Sequence, residues 1–203
     1  MGGEWLGPHF YRWSDGCFPL SADSLALGEI CTLKPGDRVL DLGCGAGLLL
    51  LLCACRETGL TLNGVEIDRE AADLARRNLE DSGLEGTILT ADLREGDLPQ
   101  ADLVVSNPPW YPQGQAGDRA HVEGCTLTEL CQAAAEVLGP KGRFALVHQP
   151  ERLTDVLCAL REAGLEPKRL QFCRHTPEKE PFAVLVEAVK GGRAGVKVLP
   201  DRI

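Results

Sequence analysis

The architecture of this chain follows from one decapeptide, RVLDLGCGAG at residues 38–47. Its first half predicts a short buried strand, and its second half predicts a tight turn that opens a helix. Gly43, Gly45 and Gly47 have no Cβ, so the backbone can turn sharply there and a ligand can approach it closely. A dinucleotide fingerprint would need a glycine where Leu48 stands. The GxGxG pattern therefore indicates a nucleoside-binding turn, although such a turn is weak support by itself.

Strand and helix signals alternate along the chain from this decapeptide onward. Strands are predicted at 38–42, 61–66, 86–91, 102–106 and 143–148, and helices at 46–57, 68–81, 126–138 and 151–163. Two further strands, at 167–174 and 182–189, follow with only a loop between them. The pattern predicts an α/β fold with a doubly wound, Rossmann-like, mostly parallel seven-stranded sheet whose C-terminal strand is antiparallel.

The first 37 residues have a different character. They contain Trp5, Phe10, Tyr11, Trp13 and Phe18, which are half of the aromatic residues of the chain. Asp15-Gly16 is a good hairpin turn, and residues 21–31 predict a short helix. We expect residues 1–37 to form a hairpin and a helix that cover the sheet, with the first turn of the helix facing the site. Residues 38–203 then form the main domain.

Length and composition place the chain among globular proteins. With 203 residues, of which 44% are apolar, one domain with a sizeable core is expected. No apolar run approaches the roughly 18 residues of a membrane span, and no secretion signal is visible. The nine cysteines have irregular spacing, which favours buried free thiols in the reducing cytoplasm over a metal site. No metal ligand is therefore predicted, and a monomer is the default expectation.

The charge distribution leaves the partner open. The formal net charge of −9 argues against a nucleic-acid partner, because phosphate contacts dominate such binding. Residues 141–203, however, have more basic than acidic side chains, whereas residues 1–140 are strongly acidic. This asymmetry is either ordinary surface charge or a mildly basic face that guides a polyanion towards the site.

Acidic residues follow the second and third predicted strands. Glu66 ends the second strand, where a carboxylate can accept hydrogen bonds from both hydroxyls of a ribose. Asp68, two residues later, is better explained as the N-cap of the next helix. Asp92 closes the third strand. Because ligands of open α/β sheets bind at the carboxyl ends of the strands, we expect Glu66, Asp92 and the glycine turn to form one cofactor site.

The fourth of these strands is followed by Asn107-Pro108-Pro109-Trp110. An asparagine, two prolines and an aromatic residue form a rigid platform that can hold a planar NH₂ group, such as the amine of adenine. This amine is a poor nucleophile, because its lone pair is delocalised into the ring. Hydrogen bonds from its two N–H groups to the Asn107 side-chain oxygen and the Pro108 carbonyl favour a pyramidal nitrogen that attacks a methyl group in line. Trp110 would stack on the base, which contributes about 1–3 kcal/mol. The competing interpretation is a proline-rich turn in which Trp110 covers the core.

These motifs resemble the amino-group-modifying branch of the class I S-adenosylmethionine (SAM) methyltransferases. The segments 18–25 and 107–112, together with 166–170 and 184–188 of the tail, are similar to the bacterial tRNA adenine-N6 methyltransferases that act on valine tRNA. The resemblance implies SAM as the cofactor, with Asp41 in the acidic position of the glycine motif and Asp92 near the adenine of SAM. It also implies that Asp23 approaches the active site, and that the substrate is the adenine beside the anticodon.

The resemblance has two departures and leaves several residues to be placed. Trp110 stands where a tyrosine or phenylalanine is more usual, which keeps stacking but enlarges the ring. The second departure is a tail that stops at Ile203 together with an acidic net charge, which is unusual for an enzyme that binds tRNA. Both departures leave the particular RNA open, but not the class of reaction. The candidate substrate contacts are Asp23, Tyr111, Arg119, His121, Lys168 and Arg169, with Arg174, Lys190 and Arg193 as further cations. Most of the basic residues among these are better explained as ordinary solvated surface charges, and Asp23 is equally explained as a carboxylate that stabilises the N-terminus of its helix.

Other functions compete with adenine methylation in RNA. The same platform could serve a glutamine side chain of a protein or a guanine amine in ribosomal RNA. Glutamine enzymes of this type carry an additional N-terminal helical domain, for which 37 residues leave no room. A non-catalytic SAM-binding or RNA-binding module is a further alternative, against which the intact Asn107 argues.

Overall fold

A computed structural model describes residues 2–14, 19–95, 97–109 and 125–203 of the chain. The strands in these ranges are β1 (Gly2–Leu6), β2 (His9–Trp13), β3 (Arg38–Leu42), β4 (Thr61–Glu66), β5 (Gly86–Thr90), β6 (Ala101–Ser106), β7 (Leu138–His148), β8 (Leu165–Cys173), β9 (Ala183–Lys190) and β10 (Lys197–Val198). The α-helices are α1 (Ala22–Ile30), α2 (Leu48–Arg56), α3 (Arg69–Asp81), α4 (Leu127–Val137) and α5 (Leu153–Glu162). None of these helices is long and apolar enough to cross a membrane.

The main sheet has the strand order β10-β8-β9-β7-β6-β3-β4-β5. Among the described strands of this sheet, only β9 runs antiparallel to its neighbours, β7 and β8, which confirms the predicted mostly parallel sheet. Within the described part of the chain, the sheet has eight strands rather than seven, because β10 pairs with β8 in parallel. This strand was missed because two exposed residues are too few to show a periodicity of two. The antiparallel strand is therefore the penultimate one.

Alternate residues of the central strands face two separate cores. Leu103 and Val105 of β6 pack with the hairpin and with α1, α2 and α3, whereas Val104 packs with α4 and α5. Adjacent residues of β7 divide in the same way. Because side chains of a strand point alternately to the two faces, helices on both faces are needed to bury them. This arrangement confirms the doubly wound α/β fold.

The N-terminal hairpin is present, but its turn is not the predicted one. Trp5 pairs with Phe10 across the antiparallel strands β1 and β2, and Gly7, in the left-handed conformation at φ 56°, lies in the turn between them. Asp15-Gly16 follows both strands and lies outside the described residues. Tyr11 of the hairpin is buried in the same cluster as α1 and α2, so the segment covers one face of the sheet.

The first residues of α2 and α3 are determined by the residues that precede them. Gly47 precedes α2 in the left-handed conformation at φ 83°, so the helix begins at Leu48, two residues later than predicted. Asp68 accepts a hydrogen bond from the backbone of Ala71 at 2.8 Å, which confirms it as the N-cap of α3. Both helices begin directly after strands that end at the carboxyl edge of the sheet. The polar residues of the site are therefore held close to rigid elements.

Candidate active site

The glycine turn after β3 forms an open cradle. Gly43 and Gly45 have φ values of 78° and 52°, a region that residues with a Cβ rarely adopt. A Cβ built at either position would meet no described atom within 4 Å, so the turn borders open space. The backbone N–H groups of Gly43 and Cys44 donate to the carbonyl of Val65 at 2.9 and 3.0 Å, which fixes the turn to β4.

Glu66 is held against this turn by backbone donors. The N–H of Gly45 donates to Oε2 at 2.8 Å, and the N–H of Asp68 donates to Oε1 at 2.9 Å. The side chain lines a small cavity together with Gly43, Ile67 and Asp92. Ile67 is 41% exposed, an apolar surface at the mouth of a polar site. The cavity thus combines carboxylate acceptors with an apolar wall that suits a flat base.

Asp92 is kept ionised by its neighbour Arg94. The Nε of Arg94 donates to Oδ1 at 2.9 Å, and its backbone N–H donates to the same oxygen at 2.9 Å. The side-chain hydrogen bond from Arg94 lowers the pKa of Asp92 below its usual range. An ionised carboxylate only accepts hydrogen bonds, so Asp92 can bind an exocyclic amine while it stays paired with Arg94.

Asp41 lies buried on β3, directly before the glycine turn. The residue is only 1% exposed, and its Oδ1 has no hydrogen-bond partner among the residues that the structure describes. Burial, followed by the nearby charge of Glu66, raises the pKa of Asp41 well above its ordinary value. A buried carboxylate without a partner is costly. A positively charged group or a strong donor beside it would remove that cost.

Asn107 follows β6 and is held by the first turn of α1. Its Nδ2 donates to Oδ2 of Asp23 at 3.1 Å and to the hydroxyl of Ser24 at 2.9 Å. Its Oδ1 accepts no hydrogen bond from any described residue. Asn107, Pro108 and Pro109 line a second cavity, which also includes Gly43 of the glycine turn. The strand ends therefore bring Asn107 and the glycine turn to one continuous edge.

His148 is a polar residue of this cavity that sequence analysis did not single out. His148 ends β7 and lines the same cavity as Asn107, and its Nδ1 accepts the backbone N–H of Gln149 at 2.8 Å. Because Nδ1 accepts this hydrogen bond, the hydrogen of a neutral imidazole lies on Nε2. Burial lowers the pKa of His148. The position at the end of a buried strand next to β6 was the signal that could have revealed it. Nothing in the sequence indicated a role for Ser24, because a serine within a predicted helix does not by itself indicate a functional site.

Among the described residues, Lys168 and Arg169 are predicted substrate contacts that do not line either cavity. Lys168 donates to the carbonyls of Arg193 and Gly195 at 2.9 and 2.5 Å. Arg169 donates to the carbonyl of Ile30 at 2.7 Å, and it also pairs with the buried Glu187. Both cations thus have partners within the protein. The predicted site residues Trp110, Tyr111, Arg119 and His121 lie outside the described residues.

Comparison of the sequence with models of known protein families identifies the family of this chain. The model of the methyltransferase small domain family matches residues 23–163, which include both cavities and the first turn of α1. The chain belongs to the methyltransferase small domain family. The predicted resemblance to methyltransferases is thereby confirmed. Membership of this family and the fold confirm the prediction that SAM is the cofactor.

Two relatives and one solved structure show how far the similarity extends. The tRNA1(Val) (adenine(37)-N6)-methyltransferase of Porphyromonas gingivalis (strain ATCC 33277) is 33% identical over 83% of this methyltransferase and 73% of its own length. The ribosomal RNA small subunit methyltransferase C of Pseudomonas aeruginosa is 36% identical, over 61% of this chain and 35% of its own. A predicted O-methyltransferase from Agrobacterium tumefaciens superposes with a TM-score of 0.73 at 22% identity, covering 89% of this chain and 86% of that one. This last similarity shows the fold alone.

Proposed function

We propose that this methyltransferase transfers the methyl group of SAM to N6 of an adenine in RNA, and that the substrate is tRNA at the adenine beside the anticodon. The observation that carries the proposal is the orientation of Asn107, whose two N–H groups are engaged by α1. Its oxygen is therefore the atom left to bind an amine. Several relatives, at 28–35% identity, have names that specify this reaction on tRNA.

The residues around the glycine turn fit SAM. Gly43 and Gly45 leave room for the backbone to contact the cofactor, and Gly47 completes the turn. Oδ1 of Asp41, which has no hydrogen-bond partner within the described part of the chain, would accept from the cationic amino group of SAM. Glu66 would accept hydrogen bonds from the ribose hydroxyls, and Asp92 would accept one from the adenine amine. SAM supplies an electrophilic methyl group on a sulfonium. These residues would bind SAM and orient it beside Asn107, whose cavity also includes Gly43.

The acceptor amine would be held by Asn107 and Pro108. One N–H of the amine donates to Oδ1 of Asn107 and the other to the carbonyl of Pro108, which makes the nitrogen more pyramidal and localises its lone pair. Pro109 and Trp110 would form the flat surface on which the base stacks. No general base is required, because the methylated amine can lose its proton to water.

Recognition of the RNA would depend on residues outside this centre. An unpaired adenine beside the anticodon can be extracted at low cost. Tyr111 follows Asn107–Trp110 directly in sequence, and Arg119 and His121 come later in the same predicted loop. We propose these three residues as contacts to the nucleotide and its phosphates. Lys168 and Arg169 rank below these, since their cationic groups already bind carbonyl oxygens. Such a substrate places the reaction in the cytoplasm.

A guanine amine in ribosomal RNA is the second candidate. The Pseudomonas aeruginosa relative is named for ribosomal RNA, and a guanine amine has the same planar NH₂ group that Asn107 would hold. That relative shares only part of its length with this chain, so its name supports the reaction chemistry more than the substrate.

Transfer of labelled methyl from SAM, followed by nucleoside analysis, tests the proposal. Unmodified tRNA and unmodified ribosomal RNA are supplied separately to the purified protein at equal concentration. We expect label in tRNA, and we expect all of it in N6-methyladenosine. Label in a guanosine of ribosomal RNA would instead support the second candidate, and label in neither RNA would overturn the proposal.

A further inference from the structure

The contacts of Asn107 fix which way its amide faces. An amide nitrogen has two hydrogens, and here one is directed to Asp23 and the other to Ser24. A carboxylate oxygen only accepts hydrogen bonds, so a reversed amide would place its own oxygen against Asp23 without any donor between them. The observed orientation is thus imposed by the chemistry of Asp23.

The partners of Asn107 are themselves held firmly. Ser24 is only 5% exposed, and its Oγ also accepts the hydroxyl of Ser21 at 3.0 Å. The opposite end of α1 is anchored by Arg169, which donates to the carbonyl of Ile30. Arg56 adds a hydrogen bond to the carbonyl of Cys31 at 3.0 Å. The helix is therefore fixed at both ends and can hold the amide in one place.

We propose that Asp23 and Ser24 are positioning residues for methyl transfer, and that they act through Asn107 rather than by contacting the substrate. This inference rests on the proposed function and deepens it. Two donated hydrogen bonds polarise the amide and make Oδ1 more negative, because hydrogen bonds in a chain strengthen one another. The oxygen thereby becomes a stronger acceptor for the substrate amine. The negative charge of Asp23 contributes most of this effect.

A double-mutant cycle tests the coupling. Asp23→Ala should lower kcat roughly 10- to 100-fold, the range for a lost hydrogen bond to a charged group, while KM for tRNA stays within about threefold. In an Asn107→Ala background the same substitution should cost less than about twofold more, because the effects of residues that act through one group are not additive. Equal losses in both backgrounds would overturn the proposal.

Two further variants separate charge from packing. Asp23→Asn keeps an acceptor for Nδ2 of Asn107 but removes the charge, so its kcat should lie between those of the wild type and Asp23→Ala. Glu29→Gln is the matched control, since Glu29 is a carboxylate on the same helix that pairs with Arg202 away from Asn107. We expect the control to retain wild-type kcat. A loss equal to that of Asp23→Ala would indicate a purely structural role and contradict the inference.

Nuclear magnetic resonance tests the inference without any RNA. The side-chain NH₂ signals of Asn107 are identified by their disappearance in Asn107→Ala. In Asp23→Ala they should shift and exchange faster with solvent, whereas in Glu29→Gln they should not change. Unchanged signals in Asp23→Ala would overturn the positioning role even if methylation of tRNA is observed. If the wild type methylates no RNA, the proposed function fails, and these signals still decide the inference.

Discussion

Two halves of the carboxyl edge of the sheet are held together in different ways. The half that we propose binds SAM, called the cofactor half, comprises Gly43, Glu66 and Asp92, and its carboxylates are held by groups at most 21 residues away in sequence. The half that we propose binds the acceptor amine, called the acceptor half, comprises Asn107, Pro108 and His148, and its central amide is held by side chains 83 and 84 residues away. The first half forms within neighbouring βα units, whereas the second exists only after α1 has packed on the sheet. Substitutions in the two halves should therefore affect different steps, namely binding of SAM and transfer of the methyl group.

The largest effect is expected at Asn107. Asn107→Ala should lower kcat by about 10²–10³-fold, the cost of removing one preorganised hydrogen-bonding group from a transition state. Its Kd for SAM should stay within about threefold of the wild type, because the cofactor half is intact. Asn107→Asp should be similarly impaired, since it retains an oxygen acceptor but places a second carboxylate against Asp23. Steady-state kinetics and calorimetry measure both quantities. Unchanged turnover would remove the acceptor half from the account.

The glycine turn should show the opposite behaviour. Gly43→Ala places a Cβ in the open cradle where SAM would lie, and we expect SAM affinity to fall by about 10-fold or more because the cofactor can no longer approach the backbone closely. The left-handed φ of 78° adds a strain of about 1–2 kcal/mol, which lowers the stability of the fold. Gly36→Ala is the matched control, because Gly36 has the same φ of 78° and equally open surroundings but lies before β3, away from the cradle. The control should lose similar stability and keep its SAM affinity. Equal losses of affinity would show that the turn has no special role.

His148 tests where the two halves meet. His148→Ala should lower kcat/KM for tRNA about 3- to 10-fold, the effect of one lost neutral hydrogen bond, and leave the Kd for SAM unchanged. A glutamine at this position retains an N–H donor and should recover part of the loss. If the affinity for SAM falls instead, His148 contributes to binding of the cofactor and belongs to the cofactor half. The assignment of β7 to the acceptor half would then be wrong.

Asp41 gives the smallest expected effect, and it depends on pH. Its pKa is raised in the folded protein by burial, so its contribution to stability is greatest below the ordinary pKa of aspartate and is lost as the pH rises towards the folded value. Asp41→Asn should therefore raise the melting temperature of the ligand-free protein more at pH 8 than at pH 5. The same variant should weaken SAM binding. A larger gain at pH 5 would contradict the sign of this shift.

The sequence predicted the two halves unequally, for a physical reason. The proximity of Gly43, Glu66 and Asp92, which line one cavity, could be predicted because each lies at the end of a recognisable strand and the rule for parallel sheets brings such ends together. The pairing of Asn107 with Ser24 could not be found, because it depends on where α1 packs. The turn at Gly7 and the two-residue strand β10 were missed since neither has enough residues for a periodic pattern.

The central claim is that the amine of one anticodon-loop adenine receives the methyl group. The most direct measurement uses valine tRNA transcripts in which single adenines are replaced by purine, which has no exocyclic amine, and follows methyl incorporation from SAM. We expect incorporation to be lost only when the adenine beside the anticodon is replaced. Full incorporation into that transcript would contradict the account, because the methyl group would then be transferred to another atom.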